Sequence, residues 1–135
     1  MATAGGGEGR DTHQRRAIRA ALAAAARPMR PEEVLDAARG AAPSLGIATV
    51  YRALRSLTEG GDLRVVELPG DLSRRYELAD LNHHHHFHCR ACDRVFDVDG
   101  CPDRFAREAP AGFIVEAHEL VLHGLCVACV VAAPT

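Results

Sequence analysis

From Ala17 to Leu57 apolar residues recur three and four positions apart; from Leu63 onward they form short runs broken by proline, glycine and aspartate. The first pattern is that of amphipathic helices and the second that of strands and turns. Ala17, Ile18, Ala21, Leu22 and Ala25 share one face of a helix that Thr12 can cap and Pro28 ends. Pro31 suits the first turn of a short second helix, with Val34, Leu35 and Ala38 inward and Gly40 as its stop. After Pro43, Ser44 and Gly46, Ile47, Val50, Leu54 and Leu57 repeat at helical spacing and predict a buried stripe. Thr49, Arg52 and Ser56 then lie opposite it, Tyr51 and Arg55 lie on its flanks, and Gly60-Gly61 ends the helix. Residues 63–68, the turn Pro69-Gly70-Asp71 and residues 73–78 read as a β-hairpin.

Three helices followed by a hairpin is the order of a winged helix-turn-helix. Asp80, Leu81 and Asn82 read as a hinge into a second lobe. There 87–89 and 95–98 are short strand candidates, 102–109 a brief helix and 113–122 a longer strand. On that strand His118 would share a face with Ile114, Leu120 and Leu122. Residues 130–135 are expected to fray. The predicted class is therefore α+β: a glycine-rich tail over 1–11, a winged helix over 12–79, a hinge over 80–82 and a small α/β lobe over 83–135.

A chain of 135 residues divided this way gives each lobe a thin core, so a metal staple and dimerisation are expected to help. Net charge is −2, with no lysine. From Arg10 to Arg55, however, nine arginines face four carboxylates, which predicts a basic binding face in the N-terminal half. Met1–Arg10 lacks the apolar core of a signal peptide, and no run approaches membrane-spanning length. A cytoplasmic location with no membrane partner is the expectation, and paired cysteines there read as metal ligands before disulfides.

Chemistry concentrates at Asn82–Cys92, Asn-His-His-His-His-Phe-His-Cys-Arg-Ala-Cys. Cys89-x-x-Cys92 and Cys126-x-x-Cys129 supply four thiolates, the complete ligand set of a closed structural Zn²⁺ site. The competing reading, two redox-active dithiols, would want an electropositive, exposed setting that the sequence does not offer. Cys101 is left over as a bystander. A closed sulfur site needs no imidazole, so the histidine run points to a second metal. On an extended segment His83 and His85 face one way, His84 and His86 the other, enough to seed two sites. The bland reading is a solvated histidine-rich linker. His13, His88 and His123 read as ordinary surface or packing histidines.

Taken in order, several stretches make the chain resemble the ferric uptake regulator (Fur) family of metal-responsive repressors. They are Gly46-Ile47-Ala48-Thr49-Val50-Tyr51-Arg52-Ala53-Leu54, Tyr76-Glu77-Leu78, His83–His86, Cys89-x-x-Cys92, His118 and His123-Gly124-Leu125-Cys126-x-x-Cys129. The resemblance implies a homodimer with an N-terminal winged helix and a C-terminal dimerisation domain. Regulatory metal sets the angle between the two so that both winged helices fit an inverted-repeat operator in double-stranded DNA. It also implies one regulatory site from His83, His85 and His118, completed by a carboxylate, for which Asp103 is the choice and Glu108 the fallback. A hinge sensor site is implied from Glu77, His84 and His86, to which Asp97 adds an oxygen. The family's usual histidine near the second helix is absent; Arg27, Pro28 and Met29 stand there.

On the third helix Arg52 is expected to read guanine edges, and Tyr51 a thymine methyl or a phosphate, from the face that carries Thr49. Arg15, Arg16, Arg19 and Arg55 would hold phosphate. The expected function is a metal-dependent transcriptional repressor controlling metal uptake, not an enzyme. Zn²⁺ is favoured as the second divalent metal because the His-Gly-Leu-Cys-x-x-Cys ending looks most like the zinc-uptake branch, while carboxylates keep Fe²⁺ or Mn²⁺ open. A peroxide sensor is the alternative within the family. Outside it stand a zinc-stapled interaction module and a zinc hydrolase, although no His-Glu-x-x-His signature is present.

Overall fold

A computed structural model describes residues 5–79, 84–100 and 107–132, with side chains of the first helix from Thr12 onward. The chain divides into two compact units, Met1–Asp80 and Leu81–Thr135. The first contains helices α1 (Gly5–Ala25), α2 (Pro31–Ala38) and α3 (Ile47–Glu59), then strands β1 (Leu63–Val66) and β2 (Arg75–Leu78). The second contains β3 (His85–Cys89), β4 (Val95–Val98), β5 (Val121–Gly124) and a short helix, α4 (Val127–Ala132).

In the first unit the sequence periodicity becomes a core. Ala17, Ile18, Ala21 and Leu22 of α1 pack with Val34 and Ala38 of α2, and with Val50, Ala53, Leu54 and Leu57 of α3. Leu63 and Tyr76 close it from the hairpin. Met29 and Tyr76 exchange two backbone hydrogen bonds, of 3.0 and 2.9 Å, so the segment between α1 and α2 adds a bridge to the hairpin. That completes a winged helix. β1 and β2 pair antiparallel, Leu63 opposite Leu78 and Val66 opposite Arg75.

Three expectations need correcting here. α1 begins at Gly5, so Thr12 lies inside it rather than at its cap, and the predicted tail over 1–11 is helical from Gly5. Chain continuity with an already packed helix offsets the poor propensity of those glycines. Ile47 is 39% exposed, because as the first residue of α3 it lies beyond the stripe that Val50, Leu54 and Leu57 bury. The hairpin strands are shorter than read, since the 67–74 connection folds into turns of its own.

In the second unit β3 is central, in the order β4-β3-β5. It pairs antiparallel with β4, His86 opposite Asp97, and parallel with β5, His88 opposite His123. A parallel neighbour requires a long crossover, and residues 113–120 are used for it. The strand expected over 113–122 is therefore confined to Val121–Gly124, and His118 lies before it rather than on it. Of the end expected to fray over 130–135, residues 130–132 belong to α4, with Val130 N–H donating to Cys126 O at 2.9 Å, and 133–135 lie outside the described residues. Gly124 is where β5 crosses the ring of Phe87; a Cβ there would sit 3.2 Å from Phe87 Cζ.

Candidate metal centres and nucleic-acid interface

β3 carries both kinds of ligand. At its end Cys89 is fully buried, and a turn returns through Cys92. Asp93 closes the turn in the left-handed region (φ 63°), its N–H donating to Cys89 O at 2.9 Å; aspartate tolerates that conformation better than most side chains. β5 and the start of α4 bring Cys126 and Cys129 to the same place, and the four sulfurs lie within 4.8 Å of one another. Cys92 Sγ and Cys126 Sγ are 3.8 Å apart. A tetrahedral ion with bonds of about 2.3 Å sets its sulfur ligands roughly 3.8 Å apart.

The thiols themselves ask for a cation. Backbone N–H groups of Cys92 and Cys126 hold Cys89 down to about 5, the latter at 3.4 Å from its sulfur. Burial pushes Cys92 up, and Cys129, hydrogen-bonded to Cys89 and Cys126, is pushed up to about 12. One thiolate forms readily and the last is resisted by its neighbours. A divalent ion in their midst removes that resistance, so these residues fit structural zinc.

The start of β3 gathers a different donor set. Asp97 Oδ1, from β4, lies 3.2 Å from His84 Nε2 and 3.6 Å from His86 Nε2. Two imidazole nitrogens and one carboxylate oxygen thus converge, and all three side chains are largely buried. That set fits a borderline or hard divalent ion rather than a sulfur-seeking one. His85 points to the opposite side, 2% exposed, with its Nε2 3.3 Å from His118 Nε2. Two nitrogens at that distance can share a proton or a metal. His83 and Asp103, expected to complete this pair, lie outside the described residues, as does Cys101. Among the described residues Glu108, the fallback carboxylate, is not gathered with the pair.

Glu77 sits on β2 of the first unit. It is 2% exposed and its Oε1 accepts a charge-assisted hydrogen bond from Arg64 Nε at 2.8 Å. A carboxylate so buried is present as an acceptor, not as surface charge.

A further cluster lies beside the cysteines. His88 Nε2 lies 2.6 Å from Asp93 Oδ1, and its ring meets that of His123 edge-on at 5.7 Å. The sequence signal for this contact is the place of His88 and His123 just before each cysteine pair, which the parallel register turns into neighbours. His13, as read, does plain structural work, its Nε2 2.9 Å from Ala41 O.

The residues singled out for DNA all lie on the first unit. Arg15, Arg16 and Arg19 are exposed on α1, and Tyr51, Arg52 and Arg55 on α3, with Thr49 half-buried. Most are held rather than loose. Arg15 Nη2 donates to Ser56 Oγ at 2.8 Å, Arg52 Nη2 to Thr49 Oγ1 at 3.0 Å and Tyr51 OH to Glu32 Oε1 at 3.2 Å. Arg55 pairs with Glu59 at 3.3 Å, and Arg19 with Asp62 at 3.8 Å. Such exposed contacts are weak enough to be exchanged for phosphate.

The sequence model of the ferric uptake regulator family matches residues 8–123. The chain belongs to that family. The transcriptional regulator FurA of Mycobacterium tuberculosis is 34% identical over 105 residues, covering 73% of this chain and 68% of FurA. The crystal structure of FurB from M. tuberculosis, a zinc uptake regulator, superposes with a TM-score of 0.52 at 28% identity, covering 95% of this chain and 99% of that one. A zinc-bound manganese uptake regulator gives a TM-score of 0.72 at 27% identity, covering 84% and 88%. The chain is therefore a Fur-family metal-responsive transcriptional regulator, not an enzyme, built as an α+β winged helix with a small α/β domain. Among the described residues no helix is long and apolar enough to cross a membrane.

Proposed function

We propose that this Fur-family member is a repressor of metal-uptake genes. It binds an inverted-repeat operator in double-stranded DNA as a homodimer, in the cytoplasm, when a regulatory divalent metal is present. The observation that carries the reading is that His84, His86 and Asp97 converge on one point while four sulfurs converge on another. The sulfur set holds zinc permanently. His84, His86 and Asp97, with Glu77 as the fourth ligand carried over from the family resemblance, form the sensor. His85 and His118, with His83 and Asp103, form a second regulatory site.

A bound divalent ion would supply charge that draws these nitrogen and oxygen donors into one arrangement. His84 and His86 contribute rings already turned inward, and Asp97 anchors both from β4, so little order remains to be imposed. Linkage follows: if the metal-bound arrangement binds DNA better, DNA must tighten metal by the same factor. Arg52, Tyr51 and Thr49 read base edges, and Arg15, Arg16, Arg19 and Arg55 hold phosphate. The dimer joins second units, in support of which Phe113, Ile114, Val127 and Val131 of a single chain are 70–88% exposed.

Zinc is the favoured metal, supported by nitrogen-rich ligation and the similarity to a zinc uptake regulator. The carboxylate of Asp97 supports iron or manganese, or peroxide sensing through iron, as the second reading. The test is selection from a randomised duplex library by protein carrying only its thiolate zinc, with and without added Zn²⁺, Fe²⁺, Mn²⁺ or Ni²⁺. Enrichment of an inverted repeat with one added metal supports the reading; equal enrichment without any metal contradicts it. Gain of one oxygen on His84 or His86 after iron and peroxide would select the peroxide reading.

A further inference from the structure

Every described histidine of the second unit has a ring partner. His84 meets His86 at 4.9 Å between centroids, His85 meets His118 at 5.0 Å, and His88 meets His123 at 5.7 Å. The first two pairs belong to the regulatory sites proposed above, and the third is left without a role. Its members are brought together by β3. His88 precedes Cys89 on that strand, and the parallel register sets His123 of β5 directly across from it. Asp93, from the turn that carries Cys92, brings a carboxylate to the same place, its Oδ1 2.6 Å from His88 Nε2.

Two imidazoles and one carboxylate are a donor set for a borderline divalent ion such as Zn²⁺. Bonds of about 2.0–2.2 Å set two ligand atoms of a tetrahedral ion roughly 3.3 Å apart, and two imidazole centroids roughly 5–6 Å apart. The contact between His88 and Asp93 needs to open by less than an ångström to reach that spacing, and the two rings already have it. The Asp93 side chain is 42% exposed and that of His88 18%, so water can reach the cluster and complete a coordination shell. His123 is exposed as well, so its ring can turn a nitrogen towards the point where the other two meet. A plain hydrogen-bonded pin, with His88 fixing the turn through Asp93, is the simpler alternative. It accounts for two of the three residues and leaves unexplained an exposed imidazole set ring to ring against His88.

We propose that His88, Asp93 and His123 form a further divalent-metal site, open to solvent, that takes Zn²⁺. It shares no donor with the four sulfurs or with the regulatory histidines, and it depends neither on the DNA-binding reading nor on which metal is sensed. An ion held there ties the turn of the first cysteine pair to the strand that leads into the second. With three protein donors and water in the remaining position, the site exchanges its ion faster than a closed set of thiolates.

The test uses full-length protein with its thiolate zinc in place, and Zn²⁺ as the probe. Asp93→Asn keeps the side-chain shape, the left-handed φ and an acceptor for His88, but loses the charge that a metal ligand needs. His123→Phe keeps a ring against His88 and loses the nitrogens. At ~10 μM free Zn²⁺, equilibrium dialysis and elemental analysis should find one ion fewer per chain in each variant than in wild type. The thiolate zinc should be present in all three. In wild type, carbethoxylation of His123, followed by mass spectrometry, should slow about tenfold once the site is mostly filled. In Asp93→Asn added Zn²⁺ should not slow it. Equal ion counts in wild type and both variants would overturn the inference, as would a His123 that reacts at one rate with and without Zn²⁺. If both variants lose the thiolate zinc too, the cluster only supports the sulfur turn and the inference is again overturned. Should Asp93→Asn alone lose it, His123→Phe, which leaves that turn untouched, decides by the same ion count.

Discussion

The two ends of β3 offer a divalent ion opposite donor sets. At Cys89 the donors are four sulfurs, two from the turn after β3 and two from the junction of β5 and α4, and the thiol of Cys129 is pushed up by its bonds to Cys89 and Cys126. At His84 and His86 they are two nitrogens and one oxygen, largely buried, with both nitrogens within 3.6 Å of Asp97 Oδ1. Sulfur in a closed tetrahedron gives permanence, because releasing the ion leaves thiols in a crowded interior. Imidazole with carboxylate gives exchange, because fewer and harder donors hold a divalent ion less tightly than a closed set of thiolates. A sensor needs the second property and a small domain with a thin core needs the first.

The sharpest way to break this contrast is at the sulfurs. Cys92→Ser should abolish the structural ion and unfold the second unit, since zinc in small modules supplies ~10–16 kcal/mol of apparent binding energy. Zinc content and amide exchange over β3 to β5 would report it; a folded, metal-free variant would show that the sulfurs are not structural. Less drastic is Asp97→Ala. It should keep one zinc per chain, weaken the exchangeable ion by tenfold or more (about 1.4 kcal/mol per tenfold), and make DNA binding insensitive to added metal. Equal loss of both ions by elemental analysis would erase the distinction between the two sites.

On the DNA side, Arg52→Ala should lose roughly 1–3 kcal/mol of discrimination between operator and unselected duplex. Arg16→Ala should weaken both duplexes alike and flatten the salt dependence. Identical profiles for the two variants would contradict the division between reading and holding. The smallest effect is expected at Asp93→Gly. Glycine accepts the φ of 63° without strain and gives up the bond to His88, so thermal stability should move by about 1 kcal/mol or less while zinc is retained.

Much of this was legible from spacing. The stripe through Val50, Leu54 and Leu57 could be read because a helix buries one face and the period shows it. The cysteine pairs could be read because a tetrahedral site tolerates few spacings, and alternation along β3 separated His84 and His86 from His85. Other features depended on non-local geometry. Residues 113–120 look strand-like in sequence, but the parallel pairing of β5 with β3 consumes them as crossover. His88 and His123 become neighbours only through that pairing. α1 runs back to Gly5 against its local propensity because helix cooperativity outweighs single glycines. The segment Pro69-Gly70-Asp71 was legible only as a turn; that buried Arg75 holds Asp71 at 2.9 Å is a packing result.

The central claim is that one chain holds a permanent and an exchangeable metal, and that only the exchangeable one governs DNA binding. It is tested most directly by measuring zinc per chain and affinity for the enriched duplex in the same samples, before and after dialysis against a mild chelator that spares thiolate zinc. The account predicts that metal content falls to one zinc per chain, affinity collapses, and added metal restores both. Undiminished affinity at one zinc per chain would contradict it.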